Sequence, residues 1–225
     1  MPVKMIVQLF IVTILLPFLP LIISGKWDWW EAWVCALVYI GGFVISRALV
    51  RQRHPDLIAE RAKILDHADA KAWDKILAPV AALGFALILL AAGLQARLGD
   101  LVSIAGWLKA LALALMLGGY ALGTWAMLAN RFFSGVVRIQ TERGHTVVSG
   151  GPYRWLRHPG YAGALLTYLA TPFWLASTWA LAAALLTAVA LVVRTALEDR
   201  TLQAELPGYA EYARRTRYRL LPGVW

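Results

Sequence analysis

Two stretches of this apolar sequence carry residue types that can bind a charged ligand. The first is GPYRWLRHPGY, residues 151–161, in which Arg157 and His158 directly precede a proline. Residues before proline avoid the helical region, whereas proline suits the first position of a helix. We therefore predict a helix beginning at about Pro159, with free N–H groups at residues 160–162 that attract a carboxylate or phosphate. The alternative is an ordinary capped helix with an arginine at the lipid headgroups.

The second stretch is the C-terminal segment VVRTALEDRTLQAELPGYAEYARRTRYRLLPGVW. Its Arg194 and Glu198 are one helical turn apart and are predicted to pair. Charges at the end of an apolar segment are costly unless they are paired or face a water-filled cavity. A proline–glycine pair ends this helix, and Tyr209 and Tyr212 fall on one face of a short helix that follows. The alternative is a charged, amphipathic tail lying on the membrane surface.

The rest of the chain is apolar enough to place both stretches at a membrane. Of its 225 residues, 60% are hydrophobic and 16% are charged, with a mean hydropathy of +0.61. Six apolar segments approach or exceed the length of a membrane-spanning helix. They are residues 5–23, 32–50, 77–95, 103–128, 161–175 and 177–195. We predict an all-α integral membrane protein of about six membrane segments, forming a single membrane domain over residues 1–225.

The last two apolar segments are separated only by a break near residues 171–172, where a proline interrupts the pattern. They are predicted to form a helical hairpin, and a single long tilted helix is the alternative. Both ends of a hairpin lie on one side of the membrane, so residues 130–161 and 194–225 can meet there. The N-terminal helices of residues 1–123 contain almost no buried ionisable groups. The cofactor-binding, catalytic half is therefore predicted to be residues 124–225.

Basic residues are distributed unevenly over this predicted topology. The formal net charge is +9. Of the 22 lysines and arginines, only Lys26, Arg97 and Lys109 fall on the side opposite the two long loops, residues 51–76 and 130–161. By the positive-inside rule the loops and both termini are cytoplasmic. The charge is thus a topology signal first. Nucleic-acid binding is not predicted, because it requires a soluble basic face.

The mixed-charge segment of residues 51–76 is predicted to be an interfacial amphipathic helix. It contains His54 and His67, whose spacing matches no metal motif. We predict solvated surface histidines there and no metal site in the protein.

With these motifs in this order, the sequence resembles the isoprenylcysteine carboxyl methyltransferase family. The resemblance covers about residues 124–225 and rests on GHTVVSGGPYRWLRHPGY, the apolar hairpin, E-D-x-x-L and PGYAEYARRTRYRLLP. One departure is Asp199, where the family more often has glutamate. The resemblance implies a membrane-embedded methyltransferase that uses S-adenosylmethionine, bound at the cytosolic end. Its acceptor would be a lipid or a lipid-modified, isoprenylcysteine-like molecule drawn from the membrane.

The resemblance also implies the members of the site. The cofactor pocket would contain His145, Val147, Val148, Tyr153, Arg157, His158, Tyr161, Glu198, Tyr209 and Tyr212. The expected catalytic residues are Arg194, Glu198 and Arg157, with Arg194 binding an acceptor carboxylate and Glu198 orienting Arg194 or the cofactor. Tyrosine faces and a carboxylate suit the sulfonium cation. A carboxylate acceptor is already ionised at neutral pH, so its methylation needs alignment more than a base.

Other functions are compatible with the same sequence. A phospholipid N-methyltransferase has an amine acceptor and would require a base, for which His158 and Glu198 are the candidates. An NADPH-dependent enzyme like the membrane sterol reductases is a second alternative, because those reductases resemble this family in their C-terminal half. A non-catalytic scaffold or transporter subunit would bind neither cofactor.

Overall fold

The computed structural model describes residues 10–62, 70–99 and 101–225, and this part of the chain is helical, without β-strands. It begins with a π-helical turn at Ile11–Leu15 and a 3-10 turn at Leu16–Phe18. The described α-helices are α1 (Leu19–Ser24), α2 (Trp30–Arg53), α3 (Pro55–Ala62), α4 (Asp74–Leu98), α5 (Gly106–Ala129), α6 (Pro159–Trp174), α7 (Thr178–Glu205) and α8 (Tyr209–Arg215). Two further 3-10 turns, Thr141–Arg143 and Gly151–Arg154, interrupt the loop between α5 and α6.

Four of these helices, α2, α4, α5 and α7, are long and apolar enough to cross a membrane. The protein is therefore an α-helical integral membrane protein, as predicted. The other two predicted segments correspond to shorter helices, namely the apolar run Thr13–Ser24 and the 16-residue α6. A helix of that length rises about 24 Å, less than the roughly 30 Å of a hydrocarbon core. The count of six segments thus stays a prediction.

The predicted hairpin is present as α6 and α7, and its turn lies slightly later than the sequence indicated. Pro172 removes one helical hydrogen bond because it has no N–H. The Thr171 carbonyl still accepts a bond from Leu175 N, and the Pro172 carbonyl accepts one from Ser177 N, both at 2.9 Å. The last turn of α6 therefore closes, and the helix continues to Trp174. Ser177 then caps α7 by accepting a hydrogen bond from Ala180 N at 3.0 Å.

The two long loops and the C-terminal segment meet at one end of the helical bundle, which we call the loop end. It is formed by α3, the start of α4, and residues 128–158 and 194–225. Lys71, just before α4, pairs with Glu205 at the end of α7, with 2.7 Å between Nζ and Oε1. At the opposite end Lys109 pairs with Glu31. The loops are therefore grouped as the sequence predicted, while their orientation relative to the cell stays a prediction.

Residues 51–76 do not form one interfacial helix. Helix α2 continues to Arg53, Pro55 begins α3, and α4 begins at Asp74, while residues 63–69 lie outside the described residues. The break follows from the proline, which disfavours helical geometry at the residue before it. His54 is half-buried, and its Nε2 lies 3.0 Å from the Leu128 carbonyl oxygen. The prediction for His67 falls outside the described residues.

Helices α5 and α6 pack closely through glycines. The sequence GYALG at residues 119–123 has the small-xxx-small spacing that favours such contacts. A Cβ atom on Gly163 would lie 2.5 Å from the Gly119 carbonyl oxygen and 2.9 Å from the Gly123 nitrogen. A Cβ on Gly119 would collide with Thr167 Oγ1 and with the Gly163 carbonyl. Because these obstacles are mostly backbone, they cannot move aside without separating the helices.

We expect Gly119→Ala to lower the free energy of unfolding by about 1–3 kcal/mol through overpacking. Gly118→Ala is the matched control, since its added Cβ meets no atom within 4 Å. Thermal unfolding of the two variants in the same detergent measures the difference. Equal midpoints would contradict the close contact between α5 and α6.

Candidate active site

A cavity of about 460 Å³ lies at the loop end and continues between α2, α4, α5 and α6. Its volume is in the range of small-molecule sites. All the predicted site residues line it, namely His145, Val147, Val148, Tyr153, Arg157, His158, Tyr161, Arg194, Glu198, Tyr209 and Tyr212. The structure therefore brings together residues from the α5–α6 loop, the start of α6, the end of α7 and α8.

The centre of this arrangement is Asp199, whose side chain is completely buried. Its Oδ1 lies 3.3 Å from His158 Nε2, 3.1 Å from Arg157 Nε and 3.2 Å from the Tyr209 hydroxyl, which donates to it. Arg219 Nε donates to Oδ2 at 2.9 Å. These residues form what we call the Asp199 cluster. One carboxylate thus joins the start of α6, the end of α7, α8 and the C-terminal segment.

The role of Asp199 was not predicted from the sequence. It entered there only as a departure from the family pattern in E-D-x-x-L. The available signal was Arg157, next to His158, because an arginine needs a counter-charge when it is buried. Asp199 supplies that charge, and it positions both side chains at the cavity wall.

The start of α6 differs from the predicted anion site. Helix α6 does begin at Pro159, but the amides of Tyr161 and Ala162 both donate to the His158 carbonyl at 3.1 Å. Gly160 abuts the Phe133 ring, where a Cβ would lie 2.5 Å from Cε2. Two of the three N–H groups expected to be free are therefore used within the first turn. The Arg157 side chain also lines the cavity and carries N–H donors there.

Arg157 and His158 are fixed by their backbones as well as by Asp199. The Arg157 amide donates to the Tyr218 carbonyl at 2.9 Å, and the His158 amide donates to the Arg219 carbonyl at 3.0 Å. The guanidinium contacts Asp199 without hydrogen-bond alignment, so its buried Nε has no bonded acceptor. With five N–H donors, Arg157 can contact Asp199 and still donate to a ligand in the cavity.

Arg194 does not pair with Glu198, which corrects the sequence-based prediction. Its Nε donates to Asp74 Oδ1 at 2.7 Å and its Nη2 donates to Asp74 Oδ2 at 3.0 Å. Nη2 also donates to the Gly135 carbonyl at 2.9 Å. The two-pronged contact with a fully buried carboxylate is a stronger arrangement than a single contact one helical turn away. Arg194 therefore joins α7 to the start of α4.

Glu198 instead accepts a hydrogen bond from the Tyr161 hydroxyl, at 2.6 Å from Oε2. The guanidinium carbon of Arg194 lies 5.4 Å from the centre of the Tyr161 ring. His158 Nδ1 lies 4.0 Å from Glu198 Oε1. The Glu198 side chain is 23% exposed, whereas that of Asp199 is fully buried. Glu198 is thus the acidic group that a ligand in the cavity can contact.

Three tyrosines form an aromatic wall beside these charges. Tyr209 and Tyr212 contact each other edge to face, with ring centres 5.3 Å apart. The Tyr212 hydroxyl donates to the Tyr153 carbonyl at 2.8 Å, and Asn130 Nδ2 donates to the Tyr153 hydroxyl at 3.2 Å. Burial raises the pKa of Tyr212 to about 12 and raises the pKa of Tyr153 and Tyr209 as well. The wall therefore consists of neutral phenols at physiological pH.

His145, Val147 and Val148 also line the cavity, and the two valines pack against the cluster that contains Tyr153, Tyr209 and Tyr212. The Gln140 amide donates to His145 Nδ1 at 3.3 Å, and the imidazole lies 4.6 Å from the Phe132 ring centre. Burial, followed by the nearby arginine charges, lowers the pKa of His145. The imidazole is therefore neutral at pH 7, with Nδ1 accepting and Nε2 available as a donor. Gln140, Asn130 and Phe132 also line the cavity and were not predicted from the sequence.

The described residues contain no group of three or more histidine, cysteine, aspartate or glutamate side chains that could bind a metal ion. Arg138, Arg157 and Arg194 at the cavity are instead paired with carboxylates.

The fold and the site define a helical membrane protein with a charged, aromatic ligand cavity at one end of its bundle. Residues 111–204 match the isoprenylcysteine carboxyl methyltransferase (ICMT) family, so the resemblance is confirmed over this segment. The match includes α6, nearly all of α7 and the loop that precedes them. It thereby includes every predicted site residue except Tyr209 and Tyr212.

Curated relatives match over shorter stretches. The protein-S-isoprenylcysteine O-methyltransferase of Xenopus laevis is 40% identical over 58 residues, which is 25% of this chain and 20% of that protein. Probable protein-S-isoprenylcysteine O-methyltransferases of Oryza sativa subspecies indica and japonica are 41% identical over 49 residues, 22% of this chain and 26% of each protein. The chain thus spans about a fifth to a quarter of the length of the curated relatives it matches.

Proposed function

We propose that the protein is a membrane methyltransferase that uses S-adenosylmethionine to methylate the carboxylate of a lipophilic, isoprenylcysteine-like acceptor. The observation that supports it most is the position of Glu198. This carboxylate lines the same cavity as Arg157 and the tyrosines, accepts the Tyr161 hydroxyl, and lies within the segment that matches the methyltransferase family. The names of the curated relatives agree with this activity.

The residues of the cavity fit the cofactor. S-adenosylmethionine supplies an electrophilic methyl group on a positively charged sulfur. Arg157, with donors to spare, suits its α-carboxylate. Glu198 and the neutral rings of Tyr153 and Tyr209 suit its positive charges. His145 offers an Nε2 donor for the adenosine, next to the apolar side chains of Val147 and Val148.

Arg194 has a narrower role in this proposal than the sequence suggested. Its Nε and Nη2 are bonded to Asp74 and Gly135, so its Nη1 is left to donate to the acceptor. Asp74 neutralises most of the charge that Arg194 brings to the cavity. Arg194 therefore orients the acceptor carboxylate and does not supply a full counter-charge for it.

The contacts favour a carboxylate acceptor over an amine. An amine acceptor needs a general base to remove its proton. His158 Nε2 is engaged by Asp199, and Glu198 already accepts the Tyr161 hydroxyl. A carboxylate needs no proton removal, so it uses this site without releasing either contact.

We also propose that the loop end faces the cytoplasm. The basic side chains of both long loops and of the C-terminal segment are concentrated at that end, whereas Arg97 and Lys109 lie at the other. This distribution follows the positive-inside rule. The cofactor would then enter from the cytoplasm.

The decisive experiment is calorimetric titration of the purified protein with S-adenosylhomocysteine and, separately, with NADPH. We expect micromolar binding of S-adenosylhomocysteine and no binding of NADPH. Transfer of radiolabelled methyl groups into host membranes then identifies the acceptor. Binding of NADPH alone would overturn the methyltransferase proposal in favour of a reductase, and binding of neither would favour a scaffold or transporter subunit.

A further inference from the structure

The N-terminal half contributes a second set of polar side chains to the cavity. Ser46 and Arg47 on α2 line it, together with Arg61 on α3. They lie outside residues 111–204, which match the methyltransferase family. The proposed cofactor site uses none of them.

These three side chains are poorly satisfied within the protein. Ser46 is 4% exposed, and its Oγ has no hydrogen-bond partner. The buried Nε of Arg61 also has none, although its Nη1 donates to the carbonyls of Phe133 and Ser134 at 3.3 Å. The polar contact of Arg47 is with Met127 Sδ, at 3.9 Å. Buried polar groups without partners are uncommon and point to a missing ligand.

The two arginines also carry uncompensated charge. Three other arginines at the cavity have carboxylate partners, in the pairs Arg138–Glu60, Arg157–Asp199 and Arg194–Asp74. Among the described residues, neither Arg47 nor Arg61 has one. Two cations at an apolar cavity are costly unless an anion joins them. The cavity therefore has a net requirement for negative charge at this position.

This position is close to the proposed reaction centre. The guanidinium carbon of Arg61 lies 5.3 Å from the Phe133 ring centre, and the same ring abuts Gly160 at the start of α6. Burial and then the Arg47 charge lower the pKa of Arg61. Tyr161 raises this pKa and the Arg194 charge lowers it further. Arg61 is thus within electrostatic reach of the groups that surround Glu198.

An apolar section of the cavity continues beyond the arginines. Its walls include Phe43, Phe85, Met127 and Tyr168, from α2, α4, α5 and α6. A molecule with one charged group and a long apolar tail would place the charge at the arginines and the tail along these side chains. A small hydrophilic anion would leave this section of the cavity unfilled.

We propose that Ser46, Arg47 and Arg61 bind the oxyanion of a lipophilic acceptor and so determine which acceptors the protein takes. The oxyanion is the carboxylate of a prenylcysteine or the phosphate of a lipid, which share this chemistry. The identity of the bound molecule as an acceptor rests on the function proposed above. The anion site itself rests only on the contacts of these three residues.

The test is direct binding in detergent with three probes: N-acetyl-S-farnesylcysteine, its neutral carboxamide, and a phosphatidate. Hydrogen bonds to charged groups are worth more than neutral ones. We therefore expect Arg61→Gln and Arg47→Gln each to lower the affinity for the carboxylate probe roughly tenfold. The affinity for the carboxamide should change by less than about twofold in these variants. Arg61→Lys should retain part of the affinity for the carboxylate that Arg61→Gln loses. Arg51→Gln is the matched control, being exposed on α2 one turn beyond Arg47. It should bind all three probes as the wild type does.

Each outcome decides the proposal. A selective loss of the carboxylate probe supports a prenylcysteine, and a selective loss of phosphatidate supports a lipid phosphate. Unchanged selectivity between the carboxylate and the carboxamide, together with unchanged phosphatidate binding, would overturn it. The comparison of probes within one variant remains valid if a variant is less stable. The affinity for S-adenosylhomocysteine, measured in parallel, should be the same in the variants as in the wild type. If the wild type does not bind S-adenosylhomocysteine, the methyltransferase proposal is rejected, while the probe measurements still test the anion site.

Discussion

Replacing Glu198 by glutamine is expected to reduce the rate of methyl transfer about a hundredfold or more, a loss typical of removing one preorganised electrostatic group. The amide preserves the shape of the side chain and can still accept the Tyr161 hydroxyl, but it removes the negative charge at the cavity. Glu198 does not contact Asp199, so the Asp199 cluster should persist. The measurement is radiolabelled methyl transfer by the purified variant, with thermal unfolding recorded on the same sample.

The matched control for this variant is Glu205→Gln. Glu205 lies on the same helix two turns later and pairs with Lys71, where both side chains are substantially exposed at 42% and 32%. Its replacement should leave methyl transfer unchanged and should cost at most about 1 kcal/mol of stability. If Glu198→Gln retained full activity, Glu198 would have no part in the reaction.

The second large effect is on stability, and it concerns Arg194→Ala. This change leaves Asp74, which is completely buried, without its arginine. Breaking a buried ion pair by removing one partner costs about 3–5 kcal/mol, because the remaining charge is uncompensated. We therefore expect a large fall in the thermal unfolding midpoint. Loss of activity in this variant would then reflect folding and would not by itself show a catalytic role for Arg194.

Two further variants separate the pair from general sensitivity to mutation. Asp74→Asn combined with Arg194→Met removes both charges and should recover most of the lost stability. Arg215→Ala breaks the exposed pair with Glu211, whose side chains are 78% and 55% accessible, and should change the midpoint very little. A midpoint for Arg194→Ala equal to that of Arg215→Ala would show that the buried pair is not important for stability.

Local features of the fold could be predicted from the sequence because they depend on neighbouring residues. Proline places the start of α6 at Pro159, and the proline–glycine pair after Glu205 separates α7 from α8. Gly208, with φ of 83°, adopts the left-handed conformation that glycine tolerates. The spacing of Tyr209 and Tyr212 predicted that both lie on one face of α8, and both are buried. The predicted pocket residues accordingly line one cavity.

The partners of the charged residues could not be predicted in the same way. Arg194 has an acidic residue one turn away on its own helix, and local spacing therefore favoured Glu198. Its actual partner, Asp74, belongs to a segment whose many charges gave no reason to select one of them. The burial of Asp199 could not be predicted either. Asp199 and Glu198 are adjacent helical residues that point in different directions, and only packing decides which of them is buried.

The bond between Asp74 and Arg194 also has a consequence for how the protein is made. Its two residues are 120 positions apart, so the carboxylate is synthesised long before its arginine. At the usual rates of about 5–20 residues per second, roughly 6 to 24 s separate the two. During that interval Asp74, at the start of α4, lacks its arginine partner. Completion of this end of the bundle therefore waits for α7, which carries Arg194.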